Sequence, residues 1–214
     1  MSSSSFHLHL VDIEIGGGTV SVNDVVKATP QKLVDGAKNG KGKIIHIFKI
    51  VGENRIIAIF DGGVEAAIAT LNASYAGNSF KVTCTPLRTY EQFAADVLNL
   101  DEYKSLPPPT HSLGNASRLY WLQFDVGFRG RTFRELMAVW SREAISDLSM
   151  RQSGKLEIDM YKTVAQNQVH AFINGQDEEI LDDFIFTRPA MTEIGDEVHI
   201  VPKSLIQVYS SASK

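Results

Sequence analysis

Cysteine is nearly absent from this sequence, with Cys84 the only one among 214 residues. A single cysteine cannot form a disulfide within the chain, and no CxxC pair is present that could bind zinc or exchange thiols. This use of cysteine is typical of a reducing compartment. Cys84 lies in a β-rich run, and we expect it to be a buried and unreactive thiol.

Long apolar runs are also absent. No stretch approaches the roughly 18 apolar residues that a membrane helix needs, and the N-terminal residues lack the basic and apolar regions of a signal peptide. The net charge of -4, without a long run of Lys and Arg, gives no reason to expect a polyanion as a partner. We therefore expect a cytoplasmic protein that binds neither nucleic acid nor membranes.

The first half shows the periodicities of a ferredoxin-like unit. Apolar residues make up 43% of the sequence, so a folded core is expected. Period-two runs predict strands, and spacing near 3.6 predicts helices. The predicted order is a strand at 6–15, a helix at 20–38 that Pro30 should kink or split, a hairpin of 43–51 and 55–60, a helix at 64–72, a strand at 79–87 and an added helix at 90–100. The first six elements read β-α-β-β-α-β.

The second half repeats this order. It consists of a strand at 119–127, a helix at 132–152, a hairpin of 156–164 and 168–173, a short helix at 177–184, an irregular segment at 187–194 and a strand at 197–201. A proline-rich linker, 105–117, separates the halves. The sequence therefore predicts a first domain at 1–104 and a second at 118–214.

The two hairpins match at a constant offset of 113 residues: Lys49, Val51, Asn54 and Ala58 correspond to Lys162, Val164, Asn167 and Ala171. Such self-similarity indicates duplication. Each unit has helices on one sheet face only, and packing the two bare faces together would bury both. The predicted fold class is therefore α+β, with two tandem ferredoxin-like halves packed sheet to sheet as an intrachain α+β barrel around a ligand cavity.

The second half resembles the muconolactone isomerase family over residues 119–205. The resemblance rests on a strand, then a helix whose Glu143 stands eleven residues before Gly154, then a hairpin, a short helix and a segment containing Pro189 before the last strand. It implies a dimeric α+β barrel enzyme, hence a homodimer, with Glu143 at the active site. Trp140 stands where the family has a lysine, so that basic partner is missing. In the first half, Pro30 stands where the equivalent glutamate would be, so we expect one site per chain.

Glu143 is the leading candidate catalytic residue, because proton transfer needs a carboxylate beside an apolar wall, which Trp140 would supply. The alternative is a solvated helix glutamate near Arg142 and Asp147. Strand alternation directs His170 and Asp125 to the cavity as acid and base partners; the alternative is a structural hydrogen-bonded pair. The expected substrate-binding residues are Trp121, Gln123, Trp140, Tyr161, His199, His9, His46 and Phe48.

Metals and cofactors are not expected. His7 and His9 share a strand face, but no carboxylate or cysteine set accompanies them, and the glycine runs lack nucleotide-binding patterns. The leading hypothesis is a cofactor-independent isomerase or cyclase that transfers protons within a small, apolar, oxygenated molecule of lactone, polyketide or terpenoid type. The alternatives are a non-catalytic binding protein for such a molecule and a cofactor-free oxygenase of the same fold.

Overall fold

A computed structural model describes residues 8–107, 113, 118–175 and 178–211. The chain divides into two compact units, one of Met1–Leu87 with Leu205–Lys214 and one of Arg88–Ser204. His7 and most of the predicted linker lie outside the described residues. No helix in the described part is long and apolar enough to cross a membrane.

The first unit is an antiparallel sheet covered by two helices. Its elements are β1 (Leu8–Ile15), α1 (Val22–Asn39), β2 (Lys43–Ile50), β3 (Arg55–Asp61), α2 (Val64–Ser74) and β4 (Phe80–Thr89, of which the first eight residues belong to this unit). The strands are ordered β4-β1-β3-β2, and β2 pairs next with the end of the last strand. One sheet face packs against both helices through a core that includes Val11, Leu33 and Phe60.

Helix α1 runs through Pro30 without interruption, so the predicted split is wrong. Ser21 caps its start by accepting a hydrogen bond from the backbone N–H of Asp24 at 3.2 Å. Its neighbour α2 lies so close that a Cβ on Gly36 would come within 2.6 Å of the Cα of Ala67. The helix is therefore closely packed against α2 at Gly36, six residues after Pro30, and it continues despite the hydrogen bond that Pro30 cannot donate.

The second unit has its own sheet and a larger set of helices. Its elements are α3 (Tyr90–Asp96), β5 (Leu119–Val126), α4 (Phe133–Gln152), β6 (Glu157–Thr163), β7 (Gln168–Asn174), α5 (Glu178–Phe186), α6 (Pro189–Ile194) and β8 (Val198–Ser210, whose last six residues belong to the first unit). The strands are ordered β6-β7-β5-β8. The helix-facing side forms a core that includes Leu136, Trp140 and Ala171.

Helix α3 belongs to the second unit rather than to the predicted first domain. Tyr90 and Phe93 are buried in the second core, and the Phe93 ring meets Trp140 edge to face at 5.1 Å. The boundary between the two compact units therefore lies between Leu87 and Arg88, not in the predicted linker at 105–117.

Three further predictions are corrected, two near the end of the chain and one in β4. The segment expected to be irregular contains helix α6, because Pro189 at its first turn has the backbone angle that a helix start needs. Strand β8 continues past Pro202 to Ser210, although a proline often ends a strand. Cys84 is exposed, not buried.

The duplicated hairpins agree in register as well as in sequence. Lys49 pairs with Ile56 in the first unit, and Lys162 pairs with Val169 in the second, again 113 residues later. Each lysine donates its ammonium to the carbonyl of the next residue, Ile50 at 3.4 Å and Thr163 at 2.9 Å. The observed element order follows the predicted repeat; the packing of the two halves sheet to sheet stays a prediction.

Candidate functional site

An apolar cavity of ≈ 40 Å³ lies in the second unit, between the helices and the helix-facing side of the sheet. Strands contribute residues such as Phe124, Met160 and Ala171, and helices close the other side. Four of the lining residues can titrate or carry charge: Tyr90, Glu143, Asp147 and Arg188. The rest of the lining is apolar.

Helix α4 positions two of these groups. It begins with a capping box, in which the Thr132 hydroxyl accepts from the Glu135 N–H and the Glu135 carboxylate accepts from the Thr132 N–H. Glu143 and Asp147 follow four residues apart, hence one helical turn apart on the same face. Trp140, at the preceding turn, lines the same cavity.

Glu143 is partly buried and fixed by the backbone of α6. Its Oε2 accepts a 2.9 Å hydrogen bond from the Ala190 N–H. Burial raises the pKa of this carboxyl, whereas the Ala190 N–H and the Arg188 charge act in the opposite direction and the negative charge of Glu193 raises it further. Glu143 is therefore a carboxyl that can titrate at the cavity while holding one geometry.

Asp147 lies deeper, at 4% exposure. Its Oδ1 has no hydrogen-bond partner in the described part of the chain, since the nearest cation, the Arg188 Nη1, is 3.7 Å away. At that distance Arg188 and Asp147 form an ion pair, but the two atoms are too far apart for a hydrogen bond. Burial, and then the Glu143 charge, raise the pKa of Asp147 well above its ordinary value against the opposing Arg188 charge.

Arg188 is the cation of the site and is tightly held. Its Nε donates to the Phe184 carbonyl at 2.9 Å, and its other nitrogens contact the Ser146 hydroxyl and the Met150 sulfur. The guanidinium lies 4.1 Å from the centre of the Phe184 ring. Arg188 is thus a fixed charge between the carboxyls and the core, not a mobile side chain.

Tyr90 completes the polar set as an un-ionised phenol. It is buried, and burial followed by the charges of Asp147 and Glu143 raises its pKa well above the ordinary value. Two carboxyls therefore face one guanidinium in an apolar surrounding. Two negative charges on one helix face in a medium of low polarity disfavour ionisation of both carboxyls. Such a pair can act as general acid and general base.

Several predicted site residues lie on the other face of the same sheet. Gln123 and Tyr161 both pair with His170 across neighbouring strands, and cross-strand partners share a face. The residue next to His170, Ala171, lines the cavity. Because strand side chains alternate, His170, Gln123 and Tyr161 point away from Glu143. The prediction of one pocket containing all of them is wrong.

His170 is held in a buried hydrogen-bonded cluster. The Trp121 indole N–H donates to its Nδ1 at 3.2 Å, and its Nε2 lies 3.2 Å from the Thr163 hydroxyl. An indole nitrogen only donates, so Nδ1 carries no proton and Nε2 donates to Thr163. Burial, and then the Lys162 charge, lower the pKa of His170 to about 4. It is a neutral histidine bonded to Trp121 and Thr163.

Asp125 does not pair with His170, contrary to one of the predictions. It is exposed, near the end of β5, and its cross-strand partner is Gln168. Tyr161 is fully buried with its ring edge to face against Phe172 at 6.0 Å. Burial raises the pKa of its phenol well above the ordinary value.

The remaining predicted lining residues are dispersed. His199 is exposed on β8. In the first unit His46 is buried, with its Nδ1 3.0 Å from the Gln207 amide nitrogen and its ring stacked on Phe48 at 5.4 Å. His9 lies on the opposite face of that sheet, paired with Phe60, so it does not join His46 and Phe48. Within the described residues, no group of three metal-ligating side chains is found.

Asp147, Arg188 and Tyr90 belong to this site but were not predicted from the sequence. Asp147 carried a usable signal, because it follows Trp140 and Glu143 at helical spacing on the apolar stripe of the helix. Arg188 and Tyr90 carried none, since each comes from a segment distant in sequence and reaches the cavity through packing alone. Arg142, expected near Glu143, instead pairs with Glu193 on the surface.

Comparisons with known proteins identify the fold. The sequence matches no family model and no curated protein. A solved structure from Lactobacillus acidophilus NCFM, described as a "putative monooxygenase", aligns over 94% of both chains with a TM-score of 0.52 and 12% identity. A chlorite dismutase variant from Candidatus Nitrospira defluvii aligns over 93% of this chain and 91% of its own, with a TM-score of 0.53 and 6% identity.

These two likenesses concern the fold alone. They extend over nearly the whole chain, and the described strands and helices form the mixed α+β arrangement that such proteins share. The resemblance to the muconolactone isomerase family stays a prediction.

Proposed function

We propose that the protein is a cofactor-independent isomerase or cyclase that moves a proton within a small, apolar, oxygenated molecule. The observation that carries this proposal is the pairing of Glu143 and Asp147, two carboxyls one helical turn apart that face a single cation in an apolar cavity. A carboxyl whose pKa is raised by burial is better suited both to give and to take a proton than an exposed one.

In this proposal the two carboxyls have different roles. Asp147 is the buried group that meets the substrate, because its Oδ1 lacks a hydrogen bond in the described chain. Glu143 is nearer the surface and exchanges protons with Asp147 and with solvent. Trp140 and the apolar lining keep bulk water away from the transferred proton.

The cavity size favours the smaller of the expected substrates. One buried water needs roughly 10–15 Å³ by the same measure, so ≈ 40 Å³ holds about three waters. Three waters occupy roughly 90 Å³ of liquid, which is less than any of the expected substrates would occupy, so the lining must move to admit one. A small lactone needs a smaller movement than a fused polyketide.

A direct test uses α-angelica lactone in D₂O. Removal of a proton next to its carbonyl gives a dienolate, and return of a proton or deuteron at the ring carbon that bears the methyl group gives the conjugated isomer. We expect the enzyme to accelerate this conversion and to place deuterium at that carbon, followed by NMR. Asp147→Asn should abolish the acceleration, whereas Asp125→Asn, the same change on the other sheet face, should preserve it.

The second candidate is a cofactor-free oxygenase, favoured by the monooxygenase description of the Lactobacillus acidophilus protein. In that reaction the same carboxyl pair would form a substrate carbanion that then reacts with O₂. An oxygen electrode distinguishes the two, since isomerisation consumes no O₂. Tight binding of the lactone without conversion or deuterium uptake would instead indicate the non-catalytic binding protein.

A further inference from the structure

We infer that the cavity of the second unit selects neutral carbonyl compounds and rejects carboxylates, with Asp147 donating a hydrogen bond to the carbonyl oxygen. This inference rests on the proposed function and deepens it by naming the chemical class of substrate. It also separates this chain from any relative whose substrate carries a carboxylate.

The balance of charge in the cavity argues against an anionic ligand. Glu143 and Asp147 face Arg188, the only cation among the described residues that line the cavity. Each Arg188 nitrogen already has a partner: the Phe184 carbonyl, the Ser146 hydroxyl together with Asp147, and the Met150 sulfur. A ligand carboxylate would add another negative group without a free cation to pair with, and burying an unpaired charge is costly.

The hydrogen bonding of the two carboxyls assigns the proton to Asp147. Glu143 accepts from the Ala190 N–H at 2.9 Å, which stabilises its ionised form. Asp147 has an Oδ1 that is buried in the cavity wall without a hydrogen bond in the described chain. Burial, and then the Glu143 charge, raise its pKa. Protonated Asp147 is a donor, so its natural ligand partner is an acceptor such as a carbonyl oxygen.

Among the described residues, the cation near the cavity but outside its lining is Lys162, whose ammonium lies 4.8 Å from the Trp140 ring centre and already donates to the carbonyls of Thr163 and Gln166. Tyr90 stays a neutral phenol, and Glu193, which acts on Glu143 from α6, is itself paired with Arg142 at the surface. The rest of the lining is apolar. A ligand with one oxygen function on an otherwise apolar body therefore matches the cavity, and a ligand with an additional charge does not.

The test compares two ligands that share one ring. γ-Valerolactone is neutral and saturated, and the second ligand is the same lactone with a carboxylate in place of the methyl group. Neither can isomerise, so binding is measured apart from catalysis and survives failure of the proposed reaction. The protein is labelled with ¹³C at the methionine methyl groups, because Met160 and Met191 line the cavity and report on its occupancy.

We expect γ-valerolactone to shift the Met160 and Met191 signals and the carboxylate ligand to bind at least about tenfold more weakly, which corresponds to 1.4 kcal/mol. In the parent protein, lactone binding should weaken at high pH, where Asp147 loses its proton. Asp147→Asn keeps an N–H donor, so it should still bind the lactone, and this weakening at high pH should be absent. Glu143→Gln removes the neighbouring charge and should move the weakening to a different pH. Equal or tighter binding of the carboxylate ligand overturns the inference, and so does the absence of binding by either ligand.

Discussion

The Oε2 of Glu143 lies 2.9 Å from the backbone nitrogen of Ala190, and the hydrogen bond between them joins the middle of α4 to the first turn of α6. Asp147, one turn further along α4, has no such anchor in the described chain. The two carboxyls of the cavity therefore differ in environment. One is positioned by the backbone, and the other is left to interact with whatever occupies the cavity.

The Glu143 anchor predicts a stability effect. Glu143→Ala removes the acceptor and leaves the Ala190 N–H without it, so we expect a loss of about 1–3 kcal/mol in the free energy of unfolding. Hydrogen exchange of the Ala190 amide should also become faster. Glu193→Ala is the matched control, because it removes a carboxylate from a surface ion pair with Arg142 and should cost only about 0–1 kcal/mol. Equal losses in the two variants would show that the anchor contributes nothing.

The raised pKa of Asp147 predicts how stability depends on pH. The folded state holds this proton at pH values where the unfolded chain has released it, so the contribution is full below the ordinary value of 3.8 and declines as pH rises through the folded pKa. Urea unfolding across this range should show stability falling with pH, and the fall should be smaller in Asp147→Asn. An identical pH profile in Asp147→Asn and the parent protein would contradict the shift.

The lowered pKa of His170 predicts the opposite dependence of stability on pH. Its pKa is lowered from 6.5 to about 4, so the unfolded chain binds a proton more readily between these values. Its contribution, about 3 kcal/mol by linkage, is present above 6.5 and is lost as pH falls to about 4. His170→Gln should lack this acid-side loss when compared with the parent protein over the same range. NMR of the imidazole nitrogens should show the neutral tautomer with the proton on Nε2.

Deprotonation of Lys162 should be visible in the tryptophan fluorescence. Its ammonium lies 4.8 Å from the centre of the Trp140 ring and donates to the carbonyls of Thr163 and Gln166. Burial, and then the Arg88 charge, lower its pKa to about 8. Loss of the cation beside the indole should change tryptophan fluorescence with a midpoint near pH 8. Lys162→Met should remove this transition, and Lys49→Met, the corresponding change in the first unit, should leave it.

Much of the fold could be predicted because it depends on local pattern. The alternation of β5 and the helical stripe of α4 each appear within one short segment, and the duplicated hairpins share an offset of 113 residues. The errors lie where local signals conflict with tertiary packing. Helix α1 continues through Pro30 and packs closely against α2 at Gly36, and β8 continues past Pro202 into a segment that pairs with β2 from Leu205 onward.

The candidate site was predicted in part. Glu143 and Trp140 do line the cavity, since one helix face carries both. Grouping Glu143 with His170 failed because the cavity was expected on the bare face of the sheet, whereas it lies on the helix-covered face, where Ala171 points. Arg188, the N-cap residue of α6, reaches Asp147 from a segment distant in sequence, and nothing in the local sequence specifies this contact.

The central claim is that Glu143 and Asp147 together retain a proton in the cavity, and carboxyl ¹³C NMR of the aspartates and glutamates tests it most directly. We predict that one aspartate signal remains protonated at a pH where the other aspartates have finished titrating. That signal should disappear in Asp147→Asn and persist in Asp125→Asn. If every aspartate in the parent protein titrates together with the exposed ones, the pair holds no proton and the account is contradicted.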